Sequence, residues 1–282
     1  MAKRRVIGRL RILLLAIVLL SGCLSNDATP VDESTTSMPD STEEPAQSGL
    51  DSVLIVSNDY EPFTSTAQEG SGFILDVTRQ AFDAVDVEVQ YEFYPWKRCE
   101  LYLEEGRAFA AAPYVKNEER LQKYNYSDPI ILTSNKFFYN KEKFPEGFTW
   151  ETLEDFQGYT MGGSLGYWYL PAFERAGLTV ELVGTDKQNL AKLLDQRIDF
   201  LLLNELTGMH VLRANYPDDV DKIGMLDKPE SVSEFYLMIS RTYTNSEELT
   251  EKFNQGLGLI RGSDQYQQLL EQYLIPSEYA LP

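Results

Sequence analysis

Histidine occurs once in this chain of 282 residues, at His210, and cysteine twice, at Cys23 and Cys99. Three such residues, widely separated, offer no metal-ligand spacing, so a His/Cys metal centre is excluded. The chain also lacks a phosphate-cradling glycine loop and a nucleophile elbow, the usual marks of nucleotide and hydrolase chemistry. Basic residues are scarce: 25 Lys and Arg stand against 44 Asp and Glu, a net charge of −19. A surface of that sign repels polyanions, and nucleic acid is not an expected partner. Membrane-spanning runs are lacking too, since residues 12–20 make nine consecutive apolar positions where a spanning helix needs roughly 20.

That short run sits in an informative setting. Lys3, Arg4, Arg5, Arg9 and Arg11 precede it, and Leu20-Ser21-Gly22-Cys23 follows with the form of a bacterial lipobox. Residues 1–23 therefore read as a lipoprotein signal peptide, to be left out of fold reasoning. Cys23 becomes the acylated N-terminus, and each buried methylene adds about 0.8 kcal/mol to anchoring. The expected location is extracytoplasmic, attached to a bacterial membrane through the lipid at Cys23. Residues 24–50 hold six acids, no basic residue and Pro30, Pro39 and Pro45, which cannot bury enough apolar surface to order and read as a disordered acidic tether. The remaining 232 residues carry 20 basic against 38 acidic side chains, a net of −18, and suffice for one large domain or two lobes. An anionic ligand would have to be drawn there by a local basic spot, against the global field. With Cys23 given to lipid, Cys99 has no disulfide partner and reads as a small buried hydrophobe. No internal repeat is present.

Along the chain, short Val, Ile and Leu-rich runs alternate with longer amphipathic ones, the pattern of an α/β fold with helices on both faces of a sheet. Val53-Leu54-Ile55-Val56 reads as a first strand, broken by Ser57-Asn58-Asp59-Tyr60-Glu61-Pro62-Phe63. Gly72 then leads a helix whose Phe73, Ile74, Val77, Ala81 and Phe82 share one face. A second strand covers residues 87–93, a helix begins at Trp96, and a third strand over residues 107–112 opens into Pro113-Tyr114-Val115-Lys116-Asn117-Glu118-Glu119-Arg120. Tyr126-Ser127-Asp128-Pro129 follows. Further on come Phe156-Gln157-Gly158-Tyr159-Thr160-Met161-Gly162, a strand over residues 197–204, a closing strand from Tyr236 to Ser240, and last helices from Gly262 to Leu274.

In that order these segments resemble the family 3 extracellular solute-binding proteins, receptors of amino-acid-type ABC importers. The resemblance implies an α/β type II periplasmic-binding-protein fold of two lobes, each a sheet flanked by helices, joined by two hinge strands. Lobe 1 is expected from residues 51–134 plus 228–282 and lobe 2 from residues 135–227. Ligands in such proteins sit between the lobes, and closure traps them. Two crossings allow bending but resist twisting. The expected partners are a small-molecule ligand, an amino acid or other small organic acid, and an ABC permease; no cofactor is implied, and the protein is expected to be a monomer.

The resemblance also places site residues. Arg120, in the Glu-Arg pair, falls where the family clamps a ligand carboxylate with the planar guanidinium fork; the plain alternative is a surface arginine paired with Glu118 or Glu119. Tyr60 and Trp96 match two aromatic walls that sandwich apolar groups or stack on cations, although core packing claims most aromatics. Phe63 is expected to pack inward. Gly166-Tyr167-Trp168 stands where the family has Gly-Thr-Thr at a helix start, a site of free backbone N–H groups, with Ser164 either replacing the lost hydroxyl or forming a turn. Asn204 occupies the place of the Asp that pairs with a ligand ammonium, and brings no charge. Glu205, one residue on, points elsewhere in a strand. Arg98 and Tyr114 are further polar candidates.

Rival readings remain. A dehydratase-like enzyme on the same fold would use Asp59, Glu61 or Glu205 as acid or base, but a binder, not an enzyme, fits the residues better. A sensor that presents its ligand to a membrane receptor would carry the same motifs as an importer's receptor. His210, on a helix over residues 206–215, reads as an ordinary packed or surface residue.

Overall fold

The computed structural model describes residues 51–67, 71–165 and 167–281. The leader, Cys23, the acidic stretch and Gly166 lie outside the described residues.

The first half of the sheet is built on β1 (Ser52–Ser57), which pairs in parallel with β2 (Glu88–Phe93) and β3 (Ala110–Tyr114). Parallel strands covered on both faces read as apolar runs, which is why Val53 to Val56 contains so little polarity. Helix α1 (Phe73–Asp83) makes the crossover to β2, and Phe73, Ile74, Val77, Ala81 and Phe82 are all buried on it. Helix α2 (Trp96–Glu104) makes the next and covers the opposite face through Cys99, Tyr102 and Leu103. Helix α3 (Glu118–Lys123) and β4 (Asn125–Tyr126) follow.

Strand β5 (Ile131–Asn140) then leaves for the second half of the sheet. There β6 (Thr160–Ser164) pairs in parallel with β7 (Thr179–Val183) and with β8 (Phe200–Asn204), and β8 is antiparallel to β5. Helices α4 (Leu170–Arg175), α5 (Asp186–Leu194) and α6 (Glu205–Asn215) connect these strands, and β9 (Ile223–Met225) adds to β5. The chain returns along β10 (Ser231–Ile239). Its first part pairs with β5, Ser231 opposite Asn135 and Phe235 opposite Ile131. Its second part pairs with β3 and β4. The strand order is β2-β1-β3-β10-β5-β8-β6-β7, and β5 with β10 are the two strands that link the halves.

Helices α7 (Ser246–Ile260) and α8 (Asp264–Gln272) cover the first half beside α1. Phe73, Phe82, Phe109, Phe253, Leu257 and Tyr266 form the centre of that core, each large apolar side chain there contributing about 1.5–3 kcal/mol by burial. The second half has its own cores, around Phe137, Phe156, Phe173 and Phe200 on one face and Phe138, Leu190, Leu201 and Leu212 on the other.

Several strand limits differ from those read in the sequence: the strand read over residues 197–204 begins at Phe200 and that read over residues 87–93 at Glu88, and two more differ as well. The third strand starts at Ala110 and continues through Tyr114, because residues just before it finish α2. Gly106 takes φ +67° and the Arg107 N–H returns to the Tyr102 carbonyl, so neither is free to pair in a sheet. The closing strand starts five positions before Tyr236, at Ser231, because β5 supplies a partner along the polar Ser231-Val232-Ser233-Glu234 stretch.

Candidate ligand-binding cleft

One wall is aromatic and belongs to the first half of the fold. Tyr60 lies in the loop after β1, where the Tyr60 carbonyl accepts the N–H groups of Phe63 and Thr64. Phe63 is fully buried and fixes the loop from behind, with its ring 4.9 Å from Phe235 and 5.5 Å from Tyr60. Trp96, at the start of α2, meets Tyr60 edge-on at 6.3 Å and Tyr114 at 5.5 Å. Tyr114 is buried at the end of β3 and donates its hydroxyl to the Trp96 carbonyl, 3.2 Å away. Tyr60, Trp96 and Tyr114 are thus brought into one continuous set of rings.

Arg120 extends that set. Its guanidinium carbon lies 4.7 Å over the Tyr114 ring, and Nη2 donates to Glu100 Oε1 at 3.1 Å. The acidic partner is therefore Glu100 on α2, not Glu118 or Glu119, which lie on its own helix. The Asn117 side chain caps that helix by accepting the Arg120 N–H at 2.8 Å. Arg98 goes elsewhere: it stacks over Tyr94 at 4.4 Å and donates to the Tyr102 hydroxyl at 3.3 Å.

The facing wall is polar and belongs to the second half. Ser164, at the end of β6, is buried and donates to Asp186 Oδ1 at 2.7 Å. The Tyr167 hydroxyl donates to Asp186 Oδ2, also at 2.7 Å. Asn189 Nδ2 in turn donates to Ser164 Oγ at 3.0 Å. Trp168 is 58% exposed and packs edge-on against the buried Tyr169. Helix α4 begins only at Leu170, so Tyr167 and Trp168 precede it and do not form its first turn.

Asn204 is committed inside the protein. Its Oδ1 accepts the Thr207 N–H at 3.1 Å, capping α6, and its Nδ2 donates to Thr133 Oγ1. Glu205 is the first residue of α6, not a strand residue, and accepts from Ser134 Oγ at 2.9 Å, Lys136 Nζ at 2.9 Å and the Tyr279 hydroxyl. Burial pushes its carboxyl up, but those hydrogen bonds together outweigh burial and hold it below its ordinary range.

The two walls meet at Tyr60. Burial pushes its phenol up to about 12, the Thr207 hydroxyl of α6 offsets part of that, and the Asp186 charge adds to it. The Tyr167 phenol is raised by burial first, then by Asp186 and by Tyr60. A second contact between the halves pairs His210 Nε2 with Glu61 Oε2 at 3.0 Å. Beside it lies a pocket of about 270 Å³ lined by Pro62, Leu206, His210, Arg213, Ala214, Tyr273 and Leu274. Sequence reasoning missed Asp186, Thr207, Glu100 and Lys136. Only Asp186 carried any local signal, as the residue after a Thr185 that caps α5.

Two α/β halves linked by a strand pair, with aromatic and polar walls facing across the join, define the type II periplasmic-binding-protein fold. Residues 53–276 match the model of the bacterial extracellular solute-binding proteins, family 3, and the chain belongs to that family. A search of curated proteins gives no match. Among solved structures, one on glutathione import via GshT and the cystine ABC importer TcyBC of Streptococcus mutans is 17% identical, with a TM-score of 0.64, covering 82% of this chain and 97% of that one. An ancestral arginine-binding protein bound to arginine is 18% identical, TM-score 0.61, covering 79% and 98%. A histidine kinase sensor domain with similarity to periplasmic binding proteins is 17% identical, TM-score 0.62, covering 79% and 96%. Likeness at this level of identity concerns the fold.

Proposed function

We propose that this protein is an extracytoplasmic receptor, lipid-anchored at Cys23, that binds a small carboxylate-bearing solute between two lobes and delivers it to an ABC importer. The lobes are residues 51–134 plus 228–282 and residues 135–227. The observation that carries this reading is the contact across the halves of Glu61, from the loop after β1, with His210 on α6, Oε2 to Nε2 at 3.0 Å. Such a contact is the behaviour of a cleft that closes by bending at β5 and β10. No helix among the described residues is long and apolar enough to cross a membrane, and attachment is assigned to the lipid alone.

In this reading Tyr60, Trp96 and Tyr114 are the apolar wall. Arg120 is the anionic anchor, with one N–H on Glu100 and the rest of its fork available for a carboxylate. The protein acts as a monomer and does not transform its ligand. The histidine kinase sensor neighbour favours one second reading, presentation of the ligand to a membrane receptor. Both uses need binding and closure, so binding is tested first.

Mass spectrometry of co-purifying small molecules, followed by titration calorimetry, identifies the ligand. Arg120→Ala should then weaken binding by about 2–5 kcal/mol, with Arg120→Lys in between. A folded Arg120→Ala variant that binds as tightly as wild type would remove Arg120 from the site. Recovery of a chemically altered ligand would replace the binder with an enzyme.

A further inference from the structure

The pocket beside the His210–Glu61 contact lies apart from the cleft described above, since none of Tyr60, Trp96, Tyr114, Arg120 and Ser164 lines it. Its two rims belong to different halves. Pro62, Tyr273 and Leu274 come from the loop after β1 and the end of α8, whereas Leu206, His210, Arg213 and Ala214 come from α6. Helical spacing explains the second rim, because those four positions are i, i+4, i+7 and i+8 and share one face. Leu206 is 7% exposed and packs into the core of the first half, so it forms the floor. His210 is half-buried, and Arg213 and Ala214 are exposed at the mouth.

The polar groups left open in this pocket are donors. Arg213 forms no ion pair among the described residues, and its guanidinium carries five N–H groups. His210 uses one ring nitrogen, Nε2, on Glu61. The acids that touch the rims are already engaged: Glu61 also accepts from Ser65 Oγ at 2.8 Å, and Asp76 accepts from Ser71 Oγ at 2.7 Å and from the Tyr273 hydroxyl. That hydroxyl in turn accepts the Gly72 N–H at 3.2 Å, so it has no proton left for an occupant. In a domain of net charge −18, this is a local reversal of sign. The apolar side is marked by Leu274. Helix α8 ends in a Schellman turn, with the Leu274 N–H on the Glu271 carbonyl and the Ile275 N–H on that of Leu270, and Leu274 takes φ +54° at the position that ordinarily falls to Gly or Asn. The leucine there holds a side chain 63% exposed on the rim. Apolar surface left open in a concavity is surface that a ligand covers.

We propose that this pocket is a second binding site, for a small monocarboxylate with an aromatic body: the carboxylate on the Arg213 fork, the open His210 nitrogen beside it, and the ring against Leu206, Pro62 and Leu274. A guanidinium meets a carboxylate through two parallel N–H···O bonds, which a neutral amide does not reproduce. An amino acid would bring its ammonium against Arg213 and His210, so the class differs from that of the cleft. The volume, about 270 Å³, falls just under the roughly 300–1,000 Å³ of pockets for drug-sized ligands and suits a single small molecule. Because the occupant touches both halves, its affinity depends on their spacing, and by linkage its presence biases bending at β5 and β10. The binding claim itself does not rest on the reading of the cleft as a solute site.

The test titrates the purified full chain by calorimetry, at fixed salt, with benzoate, phenylacetate and indole-3-acetate and with the matching amides, benzamide, phenylacetamide and indole-3-acetamide. Wild type is expected to bind at least one acid, and to bind its amide at least about 10-fold more weakly, the factor that a charge-assisted hydrogen bond supplies. Arg213→Gln removes the charge at an exposed position and should lose a similar factor with unchanged circular dichroism. Ala214→Trp fills the mouth and should abolish binding. These last two read independently, so a folding defect in one leaves the other to decide. Arg120→Ala, which removes the anchor assigned to the cleft, should leave the affinity for the acid as it was. A loss with Arg120→Ala as large as that with Arg213→Gln puts the acid in the cleft; it overturns this second site and leaves solute binding standing. Equal affinity for acid and amide overturns the carboxylate class. No binding of any acid to wild type, or binding unchanged in both Arg213→Gln and Ala214→Trp, overturns the site and leaves the reading of the cleft as it stands.

Discussion

Lys136→Met should be an expensive single change at the join between the two halves. Lys136 Nζ lies 2.9 Å from Glu205 Oε2, with the two side chains 23% and 14% exposed. Ser134 and Tyr279 donate to the same carboxylate, so strand β5, helix α6 and the C-terminal segment are tied at one oxygen. Removing the ammonium leaves a largely enclosed carboxylate, and breaking a buried pair from one side costs about 3–5 kcal/mol. Two hydroxyl donors remain and the pair is not fully enclosed, which brings the expected loss down to about 2–3 kcal/mol. Urea denaturation reads that directly, and the melting temperature should fall by about 4–12 °C for a domain of this size. The pH dependence has a definite sign. Hydrogen bonding holds the Glu205 carboxyl below its unfolded value, so its contribution is present at neutral pH and is lost as pH falls through the folded value. The gap between wild type and Lys136→Met should therefore narrow on acidification below the ordinary carboxylate range. A loss under about 0.5 kcal/mol at neutral pH, the level of an exposed pair, would refute the claim that this ion pair braces the join.

Two other perturbations test the packing. Gly256→Ala places a methyl 1.8 Å from the Ala81 carbonyl oxygen, where α7 crosses α1, and the helices must separate; the urea midpoint should drop by the equivalent of about 1–3 kcal/mol or more, and an unchanged midpoint would mean the crossing is looser than described. Cys99 is buried, and burial pushes its thiol up to about 11, so in a Cys23→Ser background a thiol reagent at neutral pH should react only after unfolding.

The legible parts of this fold are those in which local pattern and tertiary placement agree. Helix α1 could be read because its five apolar positions share a face and that face is buried, and β1 because parallel strands need no alternation. The limits of β3 and β10 were not legible, for reasons that lie outside their own residues. Arg107 looks as strand-like as Phe109 until the C-terminus of α2 takes its N–H. Ser231 to Glu234 looks like a polar turn until β5 is placed beside it. Cys99 could be placed because a lone cysteine on the apolar face of a helix has few other fates.

The cleft divides along the same line. Its aromatic wall follows strand ends, and Tyr60, Trp96 and Tyr114 come together because β1 and β3 are neighbours and α2 starts beside them. Its charges do not follow strand ends. Arg120 is paired through one nitrogen with Glu100 twenty positions earlier, and Ser164 is hydrogen-bonded to Asp186 twenty-two positions later. Neither pairing has a spacing that periodicity rewards, since each joins two helices or a strand and a helix through tertiary contact. A motif locates the rings, but the sign of the charge a ligand meets depends on which acids and bases are already spent on one another. Arg120 has its charge partly answered by Glu100, whereas the Asp186 carboxylate accepts only from the neutral hydroxyls of Ser164 and Tyr167.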